Sequence, residues 1–152
     1  MLLNKTKIAI AGLGTVGSGV LKLFKKSLVH KKYGIELSAV ASRRKLNFND
    51  VCFKNYKFFK DASELLNFDD YDILIELIGG EEGVSKKLVF DALKKGKKVV
   101  TANKALVSKH WHKIKQLTKN DLSQIKFEAA VAGGIPIIKI LNDFLISNKI
   151  KN

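Results

Sequence analysis

The chain has 152 residues, 46% of them hydrophobic, and a formal net charge of +14. A chain of this length buries one ordinary core and hardly two, and no apolar run of about 18 residues is present to cross a membrane. The opening MLLNKTK is too short and too polar for a signal segment, and the lone Cys52 has neither a disulfide partner nor clustered metal-ligand neighbours, so a soluble cytoplasmic protein with a small hydrophobe at position 52 is expected. The charge makes only a weak case for nucleic acid. It is nearly all scattered lysine, and Arg43 and Arg44 are the only arginines, so the guanidinium fork that reads guanine edges is scarce. Neither nucleic acid nor a membrane is expected as a partner.

Strand and helix patterns alternate along the chain. Residues 7–11 are an apolar strand run, and Val16, Val20, Leu23 and Phe24 recur at helical spacing through residues 16–28. A second strand follows over residues 35–41. After an irregular stretch and a short helical segment over residues 63–67, YDILIELIGG reads as a buried strand ending in a glycine turn. Val84, Leu88, Val89, Ala92 and Leu93 then mark a helix that Gly96 ends. The third cycle has a strand running to about Thr101, then a helix with Trp111, Ile114 and Leu117 inward. The fourth has a strand from Gln124 onward and a helix that Pro136 opens at its first position. This alternation predicts an α/β domain, a Rossmann-type doubly wound parallel sheet with helices on both faces. Ligands of such sheets lie beyond the carboxyl ends of the strands, where every candidate site residue falls.

Gly12-x-Gly14-x-x-Gly17 joins the first strand to the first helix. Gly12 permits the turn, Gly14 lets backbone approach a pyrophosphate, and Gly17 lets helix and strand pack closely, so dinucleotide binding is favoured over a plain turn. The second strand ends in Ser42, Arg43, Arg44 and Lys45, with no carboxylate to bond the ribose of NAD. That favours a 2'-phosphate, hence NADP, with NAD still possible and a solvated basic turn as the alternative. In TANKAL, Asn103 stands at a helix N-cap and Lys104 in the first turn, where an ammonium opposes the helix dipole. Lys104 therefore either faces the cofactor crevice or is a solvated surface lysine. His110 and His112 lie two apart on one helix and share no face, so with His30 they read as surface or packing residues.

GLGTVGSGV, ELIGG, VVTANKALVSKH and FEAAVAGGIPIIKIL, in this order and spanning nearly the whole chain, resemble the nucleotide-binding domain of homoserine dehydrogenase. The resemblance implies NAD(P)-dependent interconversion of L-homoserine and L-aspartate 4-semialdehyde, on the way to threonine, methionine and isoleucine. It further implies cofactor contacts at Thr15 and Val16 in the glycine loop, Arg43 at the ribose phosphate and Lys104 near the nicotinamide, the last with a role in the reaction, beside Gly12, Gly14, Gly17 and Arg44 read from the motifs themselves. A monovalent cation, commonly sodium, would match Glu128, Val131, Gly133 and Ile135, although on its residues alone Glu128 reads as a brace of its loop. Where the family has a proline and an alanine after the glycine pair, this chain has EEGVSKK, so the nicotinamide-side loop differs. The family's substrate domain, with the homoserine-binding carboxylates and the main acid/base lysine, is not expected within residues 1–152. The resemblance thus implies a cofactor-binding part without turnover of its own, and a homo-oligomer at full length. Another NADP-dependent oxidoreductase of this fold and a non-catalytic nucleotide-binding module are the alternatives.

Overall fold

The computed structural model describes residues 5–44 and 55–143; Lys45, Cys52 and the end of the last helical pattern at Phe144 and Leu145 lie outside them. Six strands form one sheet: β1 (Thr6–Ala11), β2 (Ile35–Ala41), β3 (Lys57–Phe59), β4 (Ile73–Glu76), β5 (Lys98–Thr101) and β6 (Ile125–Lys126). Their order is β3-β2-β1-β4-β5-β6, and every neighbouring pair is parallel. The chain starts in the middle of the sheet, winds out to one edge and returns to the other side of β1. This is the doubly wound Rossmann-type order, and it creates a switch point between β1 and β4. The edge strand β3 arises from the stretch that sequence patterning leaves irregular, because three residues are too few to show a period of two.

Alternation along β1 sorts the two faces. Ile8 and Ile10 pack with Leu37 and Val40 against α1 (Thr15–Ser27), whereas Ala9, Ala11, Ala39 and Ala41 face the cluster that includes α3 (Val84–Lys94) and α4 (Lys104–Leu117). A bulge lets β2 keep this alternation. Ile8 pairs with Leu37 and Ala9 with Ala39, which leaves Ser38 as the extra residue, its hydroxyl donating to the Ile8 carbonyl at 3.0 Å. On α3, Leu88, Val89, Ala92 and Leu93 are all buried, and on α4 so are Leu106, Val107 and Ile114, with Trp111 and Leu117 packed at the margin.

The buried face of α1 takes in only part of its apolar spacing, and the start of the last helix needs correction. The buried stripe of α1 is Gly17 and Leu21, flanked by Val20 and Phe24, while Val16 and Leu23 are 54% and 59% exposed. The close approach at Gly17 sets which face turns inward, and it rotates Val16 and Leu23 outward. Pro136 precedes the last helix rather than opening it: α5 is Ile137–Asp143, and the Pro136 carbonyl accepts from the Ile140 N–H at 3.0 Å. After α1 comes a single turn, α2 (Val29–Lys32), where His30 is buried with its Nδ1 3.0 Å from the Phe24 carbonyl. Among the described residues no helix is long and apolar enough to cross a membrane.

Candidate functional site

The glycine loop is built by close contact. Gly12 has φ +99°, and a Cβ there would come within 2.8 Å of the Leu77 backbone; a Cβ on Gly17 would come within 2.1 Å of the Gly12 carbonyl oxygen. Those two glycines are demanded by packing. Gly14 differs, since a Cβ on it would meet nothing within 4 Å. It is the N-cap of α1 and offers no side-chain cap, so the first-turn N–H groups, from Thr15, Val16 and Gly17, lack an internal helical acceptor. Exposed Thr15 and Val16 flank them. Uncapped amides at the positive end of a 13-residue helix, facing open space, suit an anion.

That open space is a cleft of about 680 Å³ at the switch point, lined by Gly12, Leu13 and Gly14 from the end of β1, Leu77 and Ile78 from the end of β4, and Ser42, Arg43 and Arg44 from the end of β2. Buried Ser42 fixes the basic turn: its N–H donates to the Phe59 carbonyl at 2.9 Å, and its hydroxyl accepts from the Arg44 N–H at 3.1 Å. Arg43 and Arg44 are exposed on the rim. The edge strand brings two residues that motif reading misses, Lys60 and Asp61. Asp61 accepts from the Ser63 N–H at 2.8 Å, a bond that holds its carboxyl below the usual carboxylate range, with the Arg43 charge adding to it. No motif could reveal them, because only the pairing of β3 on β2 brings them to the cleft.

The carboxyl ends of β4 and β5 carry a second construction. Glu76, fully buried, accepts through one oxygen from the N–H groups of Ile78 at 2.9 Å and Gly79 at 3.2 Å, and through the other from the Thr101 hydroxyl at 2.6 Å. Thr101 in turn accepts from the Asn103 N–H at 3.0 Å. Asn103 caps α4 as expected, its Oδ1 taking the Leu106 N–H at 3.1 Å, and its amide donates to the Gly80 carbonyl at 2.6 Å and the Ser85 hydroxyl at 2.9 Å. Lys104 follows as the first residue of α4, exposed, with no acidic residue in that turn. It stands apart from the residues that line the cleft. Beyond the Asn103 cap, the sequence signal for the network is a charged residue inside an apolar strand.

The divergent loop after the glycine pair is tied to α4. Lys109 bridges Glu81 at 2.6 Å and Glu82 at 3.3 Å, Lys86 bridges Glu82 at 2.7 Å, and His110 Nε2, as donor, lies 3.0 Å from the Glu81 carbonyl and 3.1 Å from the Glu82 carboxylate. The Lys86 hydrogen bond, helped by Lys109 and opposed by desolvation, lowers Glu82 to about 2. His110 thus braces the loop while resting edge-on against Phe90, and the helix backbone kinks at that residue.

The suggested cation residues fall in two turns of 3-10 helix, Glu128–Ala130 and Ala132–Gly134, and in Ile135 after them. The Glu128 carboxylate accepts from the Lys139 N–H at 3.3 Å, bracing the start of α5, and the Ile135 carbonyl accepts from the Ile137 N–H at 2.7 Å. One carboxylate and three carbonyls are the oxygen donors a hard cation takes, and each oxygen keeps a second lone pair beyond these bonds. A separate cleft of about 720 Å³ lies at the amino ends of β1, β2 and β3, where Lys7 is paired with Asp70 and Lys5 with Glu36.

A parallel sheet of this order, with an uncapped glycine-loop helix opening on a basic cleft at its switch point, defines a dinucleotide-binding domain. The model of the homoserine dehydrogenase NAD-binding domain matches residues 12–128, and the chain belongs to that family. It is 36% identical to the homoserine dehydrogenase of Neisseria gonorrhoeae over 99% of its own length and 35% of that protein. Among solved structures it is similar to a homoserine dehydrogenase from Thiobacillus denitrificans, with TM-score 0.77 and 34% identity over 97% of this chain and 35% of that one. It is also similar to a hyperthermophilic archaeal homoserine dehydrogenase solved with NADPH, with TM-score 0.67 and 26% identity over 93% of this chain and 49% of that one. The chain spans about a third of the length of the curated relatives it matches.

Proposed function

We propose that this chain binds NADP(H) as the nucleotide-binding part of a homoserine dehydrogenase. The observation that carries the reading is the meeting of Arg43, Arg44 and Lys60 on the rim of the cleft that Gly14 leaves open. The N–H groups of Thr15, Val16 and Gly17 take the pyrophosphate, and the cations at the ends of β2 and β3 take the 2'-phosphate. The similar archaeal enzyme solved with NADPH supports the choice of cofactor. Titration of the chain with NADPH, NADH and a random DNA duplex at physiological salt tests it. NADPH binds tightest and the duplex not at all; duplex binding without an NADPH response would refute the reading.

In the complete enzyme the cofactor supplies or takes up hydride at its nicotinamide, and the protein fixes the reacting carbons at transfer distance. In this reading Lys104, which opens α4 just beyond the carboxyl end of β5, serves the nicotinamide side, its ammonium assisting the reaction in the complete enzyme. The substrate pair is L-homoserine and L-aspartate 4-semialdehyde, which puts the step in threonine, methionine and isoleucine synthesis in the cytoplasm. The carboxylates that orient homoserine and the acid/base lysine belong to polypeptide outside residues 1–152, and the assembled enzyme is a homo-oligomer. The donor chemistry of Glu128, Val131, Gly133 and Ile135 fits a monovalent cation such as sodium, which would tie the loop to the start of α5.

A further inference from the structure

We propose that Glu76 and Thr101 are positioning residues for the nicotinamide half of the cofactor, acting on Gly79 directly through Glu76 and on Gly80 and Lys104 through Asn103. The hydrogen bonds of the network run in one direction. The Asn103 backbone N–H can only donate, so Thr101 Oγ1 accepts from it, and the single hydroxyl proton of Thr101 goes to Glu76 Oε2. The other oxygen of Glu76 takes the N–H groups of Ile78 and Gly79. Because Asn103 Oδ1 is held by the Leu106 N–H, its amide nitrogen must face Gly80 and Ser85, and both of its protons are used.

A fully buried carboxylate is a costly way to join two strands, since an apolar side chain would fill the space at no desolvation penalty. What the carboxylate does that a leucine cannot is hold Ile78 and Gly79, which leave β4 at the switch point. Ile78 lines the cleft, and Gly79 and Gly80 both have positive φ, +85° and +84°, so the turn after them follows a path set by these bonds. From the opposite side, the same network sets the cap residue that immediately precedes Lys104. β1 and β2, with Arg43, form the half of the sheet that takes the adenosine; β4 and β5 form the other half, so the network acts where the nicotinamide lies. The inference rests on the cofactor-binding reading above.

The test is a pair of affinities measured on the 152-residue chain, for NADPH and for adenosine 2',5'-bisphosphate, which lacks the nicotinamide half. Thr101→Val keeps the shape and deletes the relay. It weakens NADPH about tenfold and leaves the bisphosphate within about twofold, while Thr101→Ser restores NADPH binding. Should Thr101→Val not fold, Asn103→Ser keeps a cap oxygen for Leu106, removes the bonds to Gly80 and Ser85, and gives the same split. Equal weakening of both ligands, or unchanged NADPH affinity, overturns the proposal. Failure of the unsubstituted chain to bind either ligand refutes the cofactor-binding reading and the proposal with it, whereas normal binding without the split refutes the positioning role alone.

Discussion

The carbonyl oxygen of Gly12 stands 2.1 Å from the point where a Cβ on Gly17 would sit, so the strand and the helix of the glycine loop touch backbone to backbone. Any side chain at position 17 must push the two apart. Gly17→Ala is therefore destabilising by about 1 to 3 kcal/mol or more, as for an overpacked core. Gly14→Val is the contrast: its side chain enters open space, loses about 1 kcal/mol of capping and abolishes NADPH binding. Urea unfolding and a fluorescence titration check the pair. If folded Gly14→Val binds NADPH normally, position 14 is a turn and nothing more.

Arg43→Ala should separate the two cofactors. Loss of a charge-assisted phosphate contact is worth about 1.5 to 3 kcal/mol, so NADPH affinity falls by about ten- to a hundredfold while NADH affinity hardly moves. Lys60→Ala acts in the same sense and more weakly, because an ammonium bonds phosphate as a point charge and not as a fork. Equal weakening of NADH by Arg43→Ala would assign Arg43 to the pyrophosphate or to the fold.

Residues 1–152 alone are expected to bind cofactor without turning over homoserine. The other charged cleft, where Lys7 pairs with Asp70 and Lys5 with Glu36, lies at the amino ends of the strands, on the far side of the sheet from the cofactor cleft, so its groups do not orient homoserine against the nicotinamide. Without that orientation much of the roughly 7 to 11 kcal/mol available from proximity is lost. Absorbance of the reduced nicotinamide, with homoserine and NADP in large excess, is the measurement. Steady turnover at about 1 per second or faster would mean that this chain contains a substrate site.

Acid weakens the clamp between the loop after β4 and α4. Glu82 lies at about 2 in the folded chain against an ordinary value of 4.5, chiefly through its bond to Lys86. Since folding lowers the value, its contribution is present above pH 4.5 and is lost as the pH falls toward 2. Asp61, Asp69 and Asp121 are lowered as well, by the Ser63 N–H, the Lys95 ammonium and the Ser123 hydroxyl, and add in the same direction. All these carboxylates are exposed, so the effect is modest and the ion-paired part shrinks with salt. Urea midpoints across about pH 2 to 6, a range that brackets the folded value near 2 and the ordinary 4.5, check it. Glu82→Gln flattens the profile, and an unchanged profile would show that the clamp does not contribute to stability.

The glycine loop, the alternation of strand and helix, the Asn103 cap and the basic turn at Arg43 were all legible in the residues. Each is a local matter: a glycine spacing, a period of 3.6 or 2, or a cap residue ahead of an apolar run. β3 was not legible, because Lys57, Phe58 and Phe59 alternate in nothing and become a strand only by pairing with β2. The inward face of α1 was not legible for the same kind of reason. Val16 and Leu23 match the helical period, yet the contact at Gly17 turns them to solvent.

The sequence by itself determined the order of the elements and the chemistry at the end of each strand, since propensity, capping and periodicity act over a few neighbours. Only the tertiary structure decided which of those ends meet. Lys60 and Asp61 reach the cleft because an edge strand pairs beside β2, and Glu76 reaches Thr101 across 25 positions because β4 and β5 lie in register, Glu76 opposite Thr101. Lys104 stands outside the cleft that Arg43 lines because they close opposite halves of the sheet. Strand pairing is long-range and carries no marker at either residue it joins, so contacts of this kind exist only once the sheet has formed.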